Sequence, residues 1–467
     1  MNAQNKSCTD SATTRREFLQ RLGQTGVALG FMGVSLPHML AIKEATGGVT
    51  PENALYDAYL SIYFNGGPSQ TDTWDPKPGS TSSYPNRPTI NLGVNDAYGQ
   101  PMRIDGVFPR LAALSMNDPA IKLGTIRSFW HGTNDHGQGQ MYMAGWWRSN
   151  ALVQQYPSVA SVMAYYYQGT GIGIPSVIIN GGGPQRANDA GMSRCPTALM
   201  VNAGNGQGNN PVVQALSLPA GVDQARYDRR KALLDRLNAR FLSGKPDQAA
   251  KAMEKATADA HSITSQGAAA RAFDLTGKPL INVSDNGTAQ RMTLAQELLK
   301  AGIPYVAMGI GGNDTHSDNM ATIARNWGNY INEGLSQLAE NIKASGKRVL
   351  VTMYGDFGRT PRSVNNGARD GRDHWGDGFS VALLSINQPK FKMNAIGDTG
   401  PDGTLMSTSG MRDPIEPKDL GAFVYRSLGF QIGQVTGKFD VPLTSRPAPP
   451  VDRINKSDLL NTTFGLV

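Results

Sequence analysis

Helical segments and short apolar runs alternate after residue 290, and this alternation constrains the fold more than any other feature. Helices are predicted at 292–301, 318–345 and 419–428, and strands at 305–310, 349–354 and 379–384. Alternation of this kind is typical of a mostly parallel sheet with helices on both faces. We therefore predict an α/β fold.

Three more apolar runs in the first half of the chain predict strands at 59–64, 120–126 and 176–180. Four predicted strands in the whole chain end in loops that carry Asp, Asn or His. Ligands bind at the carboxyl ends of strands in sheets of this type. Residues 47–467 are predicted to form one domain, with insertions near 75–105, rich in Pro, Gly, Ser and Asn, and near 184–275.

Residues 1–46 are predicted to be a removed export signal. The run Thr14-Arg15-Arg16-Glu17-Phe18-Leu19-Gln20 resembles the twin-arginine signal, and a short apolar stretch follows at 27–34. That stretch is shorter than the ~20 residues that span a bilayer. We expect recognition by the twin-arginine translocase, a periplasmic or secreted location and no membrane span in the mature chain. An amphipathic N-terminal helix is the alternative.

Charge and cysteine content argue against nucleic-acid binding and against an intrachain disulfide. The formal net charge is +7 over 467 residues, and no Lys/Arg block interleaved with aromatic residues is present. Nucleic-acid binding is therefore not expected. The two cysteines are Cys8, in the predicted leader, and Cys195. The mature chain is left with one thiol, so it cannot form an intrachain disulfide.

Histidine and aspartate cluster in the predicted loops. Four of the six histidines lie in Gly/Asp-rich loops after or before predicted strands: His131, His136, His316 and His374. The aspartates that accompany them are Asp72, Asp135, Asp314, Asp356 and Asp373. Imidazole and carboxylate ligands suit zinc, iron or manganese, so the pattern favours a metal site. The alternative is a set of ordinary loop residues, since Asp is common in turns.

Four loops resemble motifs of a known family. They are 65–78, which begins Asn65-Gly66-Gly67-Pro68, then Gly312-Asn313-Asp314-Thr315-His316, Asp356-Phe357-Gly358-Arg359-Thr360-Pro361 and Gly371-Arg372-Asp373-His374-Trp375. The family is domain-of-unknown-function family 1501 (DUF1501), whose members are similar to the alkaline phosphatase and sulfatase superfamily. The resemblance covers about residues 55–435. It implies an alkaline-phosphatase-like three-layer sandwich.

The resemblance also implies a metal centre. Asp314, His316 and His374 resemble the ligands of one metal, and Asp356 resembles an Asp at a second metal. Phe357 stands where the superfamily has a His ligand, so a single-metal site is the alternative. Asn65 stands where the superfamily has its first-strand Asp, and Asp72 is the candidate to take the place of that ligand. We expect a divalent metal, with zinc first and manganese, calcium or magnesium as alternatives.

The sequence leaves the identity of the reacting groups open. Thr133 is the only hydroxyl in the loop 131–137 and is one hypothesis for the nucleophile. Asp135 and His136 are predicted as ligand or acid–base groups, and a capped helix start is the alternative for the whole loop. Arg359 and Arg372, with Asn65, are predicted to bind the substrate anion. Each arginine could instead pair with a neighbouring Asp.

Three functions follow from these patterns. The first is an exported, metal-dependent hydrolase of phosphate or sulfate esters, acting on a small anionic ester. The second is a non-catalytic periplasmic metal-containing binding or assembly protein that keeps the fold. The third, a redox protein, is disfavoured because the sequence lacks a Cys cluster, a Gly-x-Gly-x-x-Gly loop and a haem motif.

Overall fold

A computed structural model describes the chain over 54–80, 88–146, 158–167, 174–180, 199–203, 271–362, 370–430 and 456–466, with a few positions between 225 and 236. The predicted leader 1–46 and its twin-arginine motif lie outside the described residues. So do Cys195 and most of the predicted insertion 184–275.

The described strands are short and mostly buried. In chain order they are β1 (Ala58–Phe64), β2 (Thr89–Asn95), β3 (Pro101–Asp105), β4 (Ile121–Phe129), β5 (Ser176–Ile179), β6 (Leu199–Val201), β7 (Tyr305–Ile310), β8 (Val349–Gly355), β9 (Gly358–Arg359), β10 (His374–Trp375), β11 (Phe379–Ile386) and β12 (Asn394–Ile396). The six strands predicted from sequence correspond to β1, β4, β5, β7, β8 and β11.

A short 3-10 helix spans Gln70–Asp72, and seven longer helices are described from end to end. They are α1 (Pro109–Asn117), α2 (His136–Gly145), α3 (Val159–Tyr166), α4 (Asn286–Lys300), α5 (319–344), α6 (Pro417–Ser427) and α7 (Lys456–Thr463). The central part of α5, Ile323–Leu335, has π-helical winding. Within the described residues, none of the helices combines the length and the apolar character needed to cross a bilayer.

Eight strands form one sheet in the order β12-β4-β11-β8-β1-β7-β5-β6. Every neighbouring pair in it is parallel except the two pairs made by β11, which runs antiparallel to both β4 and β8. The predicted mostly parallel sheet is therefore confirmed. The exception arises because, among the described residues, no helix lies between β8 and β11, and the short hairpin β9–β10 lies between them instead.

Helices cover both faces of the sheet. Alternate side chains of a strand point to opposite faces, and in β1 Leu60 and Ile62 join one buried cluster while Tyr59 and Tyr63 join the other. Residues of α1, α4 and α5 complete the first cluster, and residues of α2, α3, α6 and α7 complete the second. The predicted three-layer arrangement, with helices on both faces, is therefore confirmed.

The segment 75–105 is more regular than its composition indicates. It contains the antiparallel hairpin β2–β3, and Leu92, Met102 and Ile104 bury their side chains in the main core. Alternating apolar residues at 90, 92 and 94 carry a period-two signal for this hairpin. The strands β6 and β12 were not predicted because three residues are too few to show a period.

Candidate metal centre

Three adjacent parallel strands bring distant loops together. Phe64 at the end of β1 pairs with Ile310 at the end of β7 and with Gly355 at the end of β8. The loops that follow these strands therefore leave the same edge of the sheet. The loop after β8 begins with Asp356, and the loop after β7 contains Asp314.

Asp314 lies at the centre of the cluster. Its Oδ1 is 3.1 Å from His316 Nε2 and 3.3 Å from His374 Nε2, and those two nitrogens are 2.9 Å apart. Its Oδ2 is 3.4 Å from Nε2 of His136, the first residue of α2. The structure thus brings together four residues that come from three separate loops of the chain.

The other nitrogen of each imidazole faces an oxygen. His136 Nδ1 is 2.5 Å from Asp356 Oδ2, and His374 Nδ1 is 2.7 Å from the backbone oxygen of Asn134. A carbonyl or carboxylate oxygen accepts hydrogen bonds, so these contacts assign the proton to Nδ1 and leave Nε2 with a lone pair. His316 Nδ1 lies 3.5 Å from Asp373 Oδ1. This is the outer arrangement that metal-ligating histidines have.

The donor set fits a divalent metal. Lone pairs on Nε2 that face a carboxylate repel it unless a cation lies between them. His136 Nε2 is buried and has no hydrogen-bond partner within the described part of the chain. Ligand atoms of His136, Asp314 and His374 lie within 4.8 Å of one another, and so do those of His316, Asp373 and His374. The two groups share His374, and each combines imidazole nitrogens with a carboxylate oxygen, as zinc sites do.

Arg359 keeps Asp314 ionised. Its guanidinium is fully buried, and Nη2 is 2.6 Å from Asp314 Oδ1. Its Nε donates to Gly67 O at 3.1 Å, and Nη1 donates to Arg372 O at 3.2 Å. Burial raises the pKa of Asp314, but the hydrogen bond and charge of Arg359 together lower it by more, so the pKa lies below its usual value. The carboxylate is therefore available to a cation at neutral pH.

Asp72 and Arg372 form a separate, closed pair. Both side chains are 0% exposed, and Arg372 Nε is 2.7 Å from Asp72 Oδ2. Asp72 Oδ2 also accepts hydrogen bonds from Ser69 Oγ at 2.5 Å and Asn319 Nδ2 at 3.0 Å. Asp72 is thus not among the residues that converge on Asp314. Both Arg359 and Arg372 pair with an Asp, which is the alternative that the sequence left open.

The loop before α2 is organised as a helix start. Asp135 is the N-cap, and its Oδ1 accepts from Gln138 N–H at 2.8 Å. Thr133 Oγ1 donates to Gln138 Oε1 at 2.9 Å and accepts from Asp135 N–H at 3.2 Å. Of the three residues predicted here as reacting groups, His136 joins the cluster, Asp135 caps the helix, and Thr133 bonds to both the cap residue and Gln138.

Three neighbours shape the cluster without joining it. Asn65 continues the ladder between β1 and β7, since its N–H donates to Ile310 O and its carbonyl accepts from Asn313 N–H. The buried Phe357 ring lies 4.7 Å from the His136 ring and 4.4 Å from the His374 ring. The buried ring of His131 has Nε2 2.5 Å from the backbone oxygen of Asp356.

Two glycines allow the loops to meet. A Cβ at Gly66, whose φ is +101°, would lie 2.3 Å from Asp314 N, and a Cβ at Gly371 would lie 1.8 Å from His316 O. Only glycine fits such close backbone approaches. The glycines stand in the quoted motifs, so their presence was a signal in the sequence. The sequence did not indicate a role for Asn134, because its contact with His374 uses a backbone oxygen.

Comparisons with known proteins extend this description. Two solved structures, both of the C-terminal periplasmic domain of EcEptC from Escherichia coli and one of them a complex with Zn, are similar to this chain at 10% identity. Each alignment covers 88% of this chain and 96% of the other, with a TM-score of 0.33. No curated protein matches the chain in sequence. The sequence profile of a family described as "Protein of unknown function (DUF1501)" matches residues 57–441. Because that match spans most of the chain, the protein belongs to the DUF1501 family.

Proposed function

We propose that this protein is a metal-dependent hydrolase of phosphate or sulfate esters. One observation carries the proposal: the Nε2 atoms of three histidines face the Asp314 carboxylate, and the Nδ1 atom of each faces an oxygen. The resemblance of the surrounding loops to the alkaline phosphatase and sulfatase superfamily supports the class of reaction. The same resemblance supports an alkaline-phosphatase-like form of the layered fold.

His136, Asp314, His316 and His374 would hold the metal. Three nitrogen ligands favour zinc, with manganese as an alternative, over calcium and magnesium, which prefer oxygen. When bound, a divalent metal acts as a Lewis acid that polarises a phosphoryl or sulfuryl oxygen. Arg359 holds the Asp314 carboxylate in place and offsets part of its charge. Phe357 packs on two of the histidine rings and limits their rotation.

The substrate would approach from the side of His316. The side chains of His316, Asp314 and Asp373 are about half exposed, whereas Asp356 and Arg359 are buried behind them. Neither Arg359 nor Arg372 has its guanidinium on this open side, because both are buried. Attraction for a small anionic ester would therefore come from the metal rather than from these two arginines.

A non-catalytic metal protein is the second candidate, and the hydrogen bonding of Thr133 is the observation that favours it. The Thr133 hydroxyl donates to Gln138 and accepts from Asp135, so the helix start already uses it. The covalent hypothesis for this loop takes that hydroxyl as the nucleophile. The hydrolase proposal therefore takes water, and not Thr133, as the group that attacks the ester.

Metal content and ester hydrolysis test the proposal together. Purified protein should contain about one divalent ion per chain by elemental analysis, as expected for a single site built from these ligands. Metal-loaded protein should hydrolyse an aryl phosphate or an aryl sulfate, and His374→Ala should remove both metal and activity. Bound metal without hydrolysis of any ester in such a screen would favour the non-catalytic protein instead.

We also propose export by the twin-arginine route. The motif at Arg15-Arg16 supports this, and a metal acquired before export suits a route that carries folded proteins. Arg15→Lys combined with Arg16→Lys should leave the precursor in the cytoplasm, because lysine does not reproduce the guanidinium pair. Normal export and cleavage of this double variant would contradict the proposal.

A further inference from the structure

We infer that Asp356 is a positioning residue, which fixes the tautomer and orientation of His136 and is not itself a metal ligand. The inference rests on the proposed metal centre only for its effect on metal affinity. The tautomer of His136 can be measured without any metal.

Both oxygens of Asp356 are already engaged. Oδ1 accepts the Gly66 N–H at 2.9 Å, and Oδ2 is 2.5 Å from His136 Nδ1. The carboxylate is fully buried, so it is screened from water and its hydrogen bonds are correspondingly strong. Asp356 is absent from the two groups of residues whose ligand atoms converge within the described part of the chain.

The surroundings of Asp356 hold this geometry. Gly139 of α2 approaches so closely that a Cβ there would lie 2.6 Å from the Asp356 backbone oxygen. The same oxygen contacts His131 Nε2 at 2.5 Å. The next residue, Phe357, packs its ring on the imidazole of His136. Asp356 and the start of α2 are therefore fixed relative to each other through backbone as well as side-chain contacts.

The consequence concerns the position of one proton. An acceptor at Oδ2 requires the His136 proton to be on Nδ1, and Nε2 then carries the lone pair that faces Asp314. An asparagine at 356 can retain the oxygen that accepts from Gly66 and present an N–H group to His136. His136 would then carry its proton on Nε2, toward the metal position, and could not bind a metal there.

Two measurements on the full mature chain test this inference. The first is the ¹⁵N spectrum of histidine side chains in metal-free protein, above the ordinary His pKa, with the His136 signal identified by its loss in His136→Ala. We expect the Nδ1–H tautomer in wild type and the Nε2–H tautomer in Asp356→Asn. An Nε2–H tautomer in wild type would overturn the inference, and this result does not depend on the folding of Asp356→Asn.

The second measurement is zinc affinity by chelator competition. Asp356→Asn should lower it about 10–100-fold, the usual cost of removing an outer partner of a metal ligand. In a His136→Ala background the same change should alter affinity by less than about twofold, because its effect passes through His136. Asp118→Asn, the same change at a distant ion pair with Lys343, is the control and should have no effect.

The outcomes separate the inference from the proposed function. An equal loss of affinity in both backgrounds would make Asp356 a direct ligand and overturn the inference while the metal centre stands. A wild-type protein that binds no zinc would count against the metal centre. The histidine spectrum would still decide whether Asp356 sets the tautomer of His136.

Discussion

Two carboxylates in this protein have opposite surroundings. Asp72 is buried and faces Arg372, Ser69 and Asn319, all of which neutralise it or donate hydrogen bonds to it. Asp314 is 48% exposed, and besides Arg359 it faces the Nε2 atoms of three histidines. We call the first the closed pair and the second the open cluster. The carboxylate of the closed pair has all its partners within the protein, whereas the open cluster has a set of atoms that could hold a metal ion.

The two regions share one loop. Arg372 belongs to the closed pair and His374 to the open cluster, although a single residue separates them in the chain. The short hairpin β9–β10 pairs His374 with Arg359, the partner of Asp314. The closed pair therefore anchors the loop that carries a ligand of the open cluster. Stability should depend on the first region and metal affinity on the second.

The largest expected effect is on stability, from loss of the closed pair. Asp72→Ala would leave Arg372 buried without its carboxylate, which costs about 3–5 kcal/mol of unfolding free energy. Chemical denaturation in the presence of a chelator would measure this loss. The control is Asp57→Ala, which removes an exposed ion pair with Arg348 and should cost no more than about 1 kcal/mol. Equal losses would mean that burial does not distinguish the two pairs.

Metal should stabilise the protein through the open cluster. At a free zinc concentration of 100 times Kd, binding to the folded state adds about 2.7 kcal/mol to wild-type stability. His374→Ala should lose most of this gain while its metal-free stability falls less than that of Asp72→Ala. Asp314→Asn is a better second variant than alanine, because the amide oxygen can still accept from the buried Arg359. The same gain in wild type and in His374→Ala would contradict the ligand assignment.

Gly371→Ala should affect both regions at once. The new Cβ would lie 1.8 Å from His316 O, so the loop must shift, at a cost of about 1–3 kcal/mol. We also expect weaker zinc binding, because the shift moves His316 away from His374. Gly311→Ala is the matched control, since a Cβ there meets open space and should change stability by less than about 0.5 kcal/mol. Similar results for the two glycines would show that the loop tolerates the contact.

Of the variants in this comparison, Thr133→Ala should have the smallest effect. The change removes a buried hydroxyl that bonds to Gln138, so stability should fall by about 1 kcal/mol. The rate of hydrolysis of an aryl ester that the wild type cleaves should stay near the wild-type value, because the proposed attack comes from water. Loss of nearly all hydrolysis, with metal content unchanged, would identify Thr133 as the nucleophile.

Much of the fold could be predicted from the sequence. Strands such as β7 and β8 are continuous apolar runs, and buried strands need this composition whatever their neighbours. Their alternation with helices predicted the parallel sheet and its helical layers. The direction of β11 could not be predicted in this way, because its buried run reads the same in either direction. The hairpin β2–β3 was not predicted, because its alternating apolar residues lie in a segment rich in Gly, Pro and Asn.

Residue types determined which loops carry chemistry, and the tertiary structure decided what each residue does there. The sequence by itself placed His and Asp at the ends of predicted strands, because these side chains are recognisable wherever they occur. The motif resemblance grouped Asp314 with His316 and His374. Only the folded chain adds His136 to them and places Asp72 against Arg372 and Asp356 against His136. An ionisable side chain takes its role from the charges and hydrogen bonds that surround it. Here all but one of those partners lie 60 or more residues away in the chain, so no local pattern encodes them.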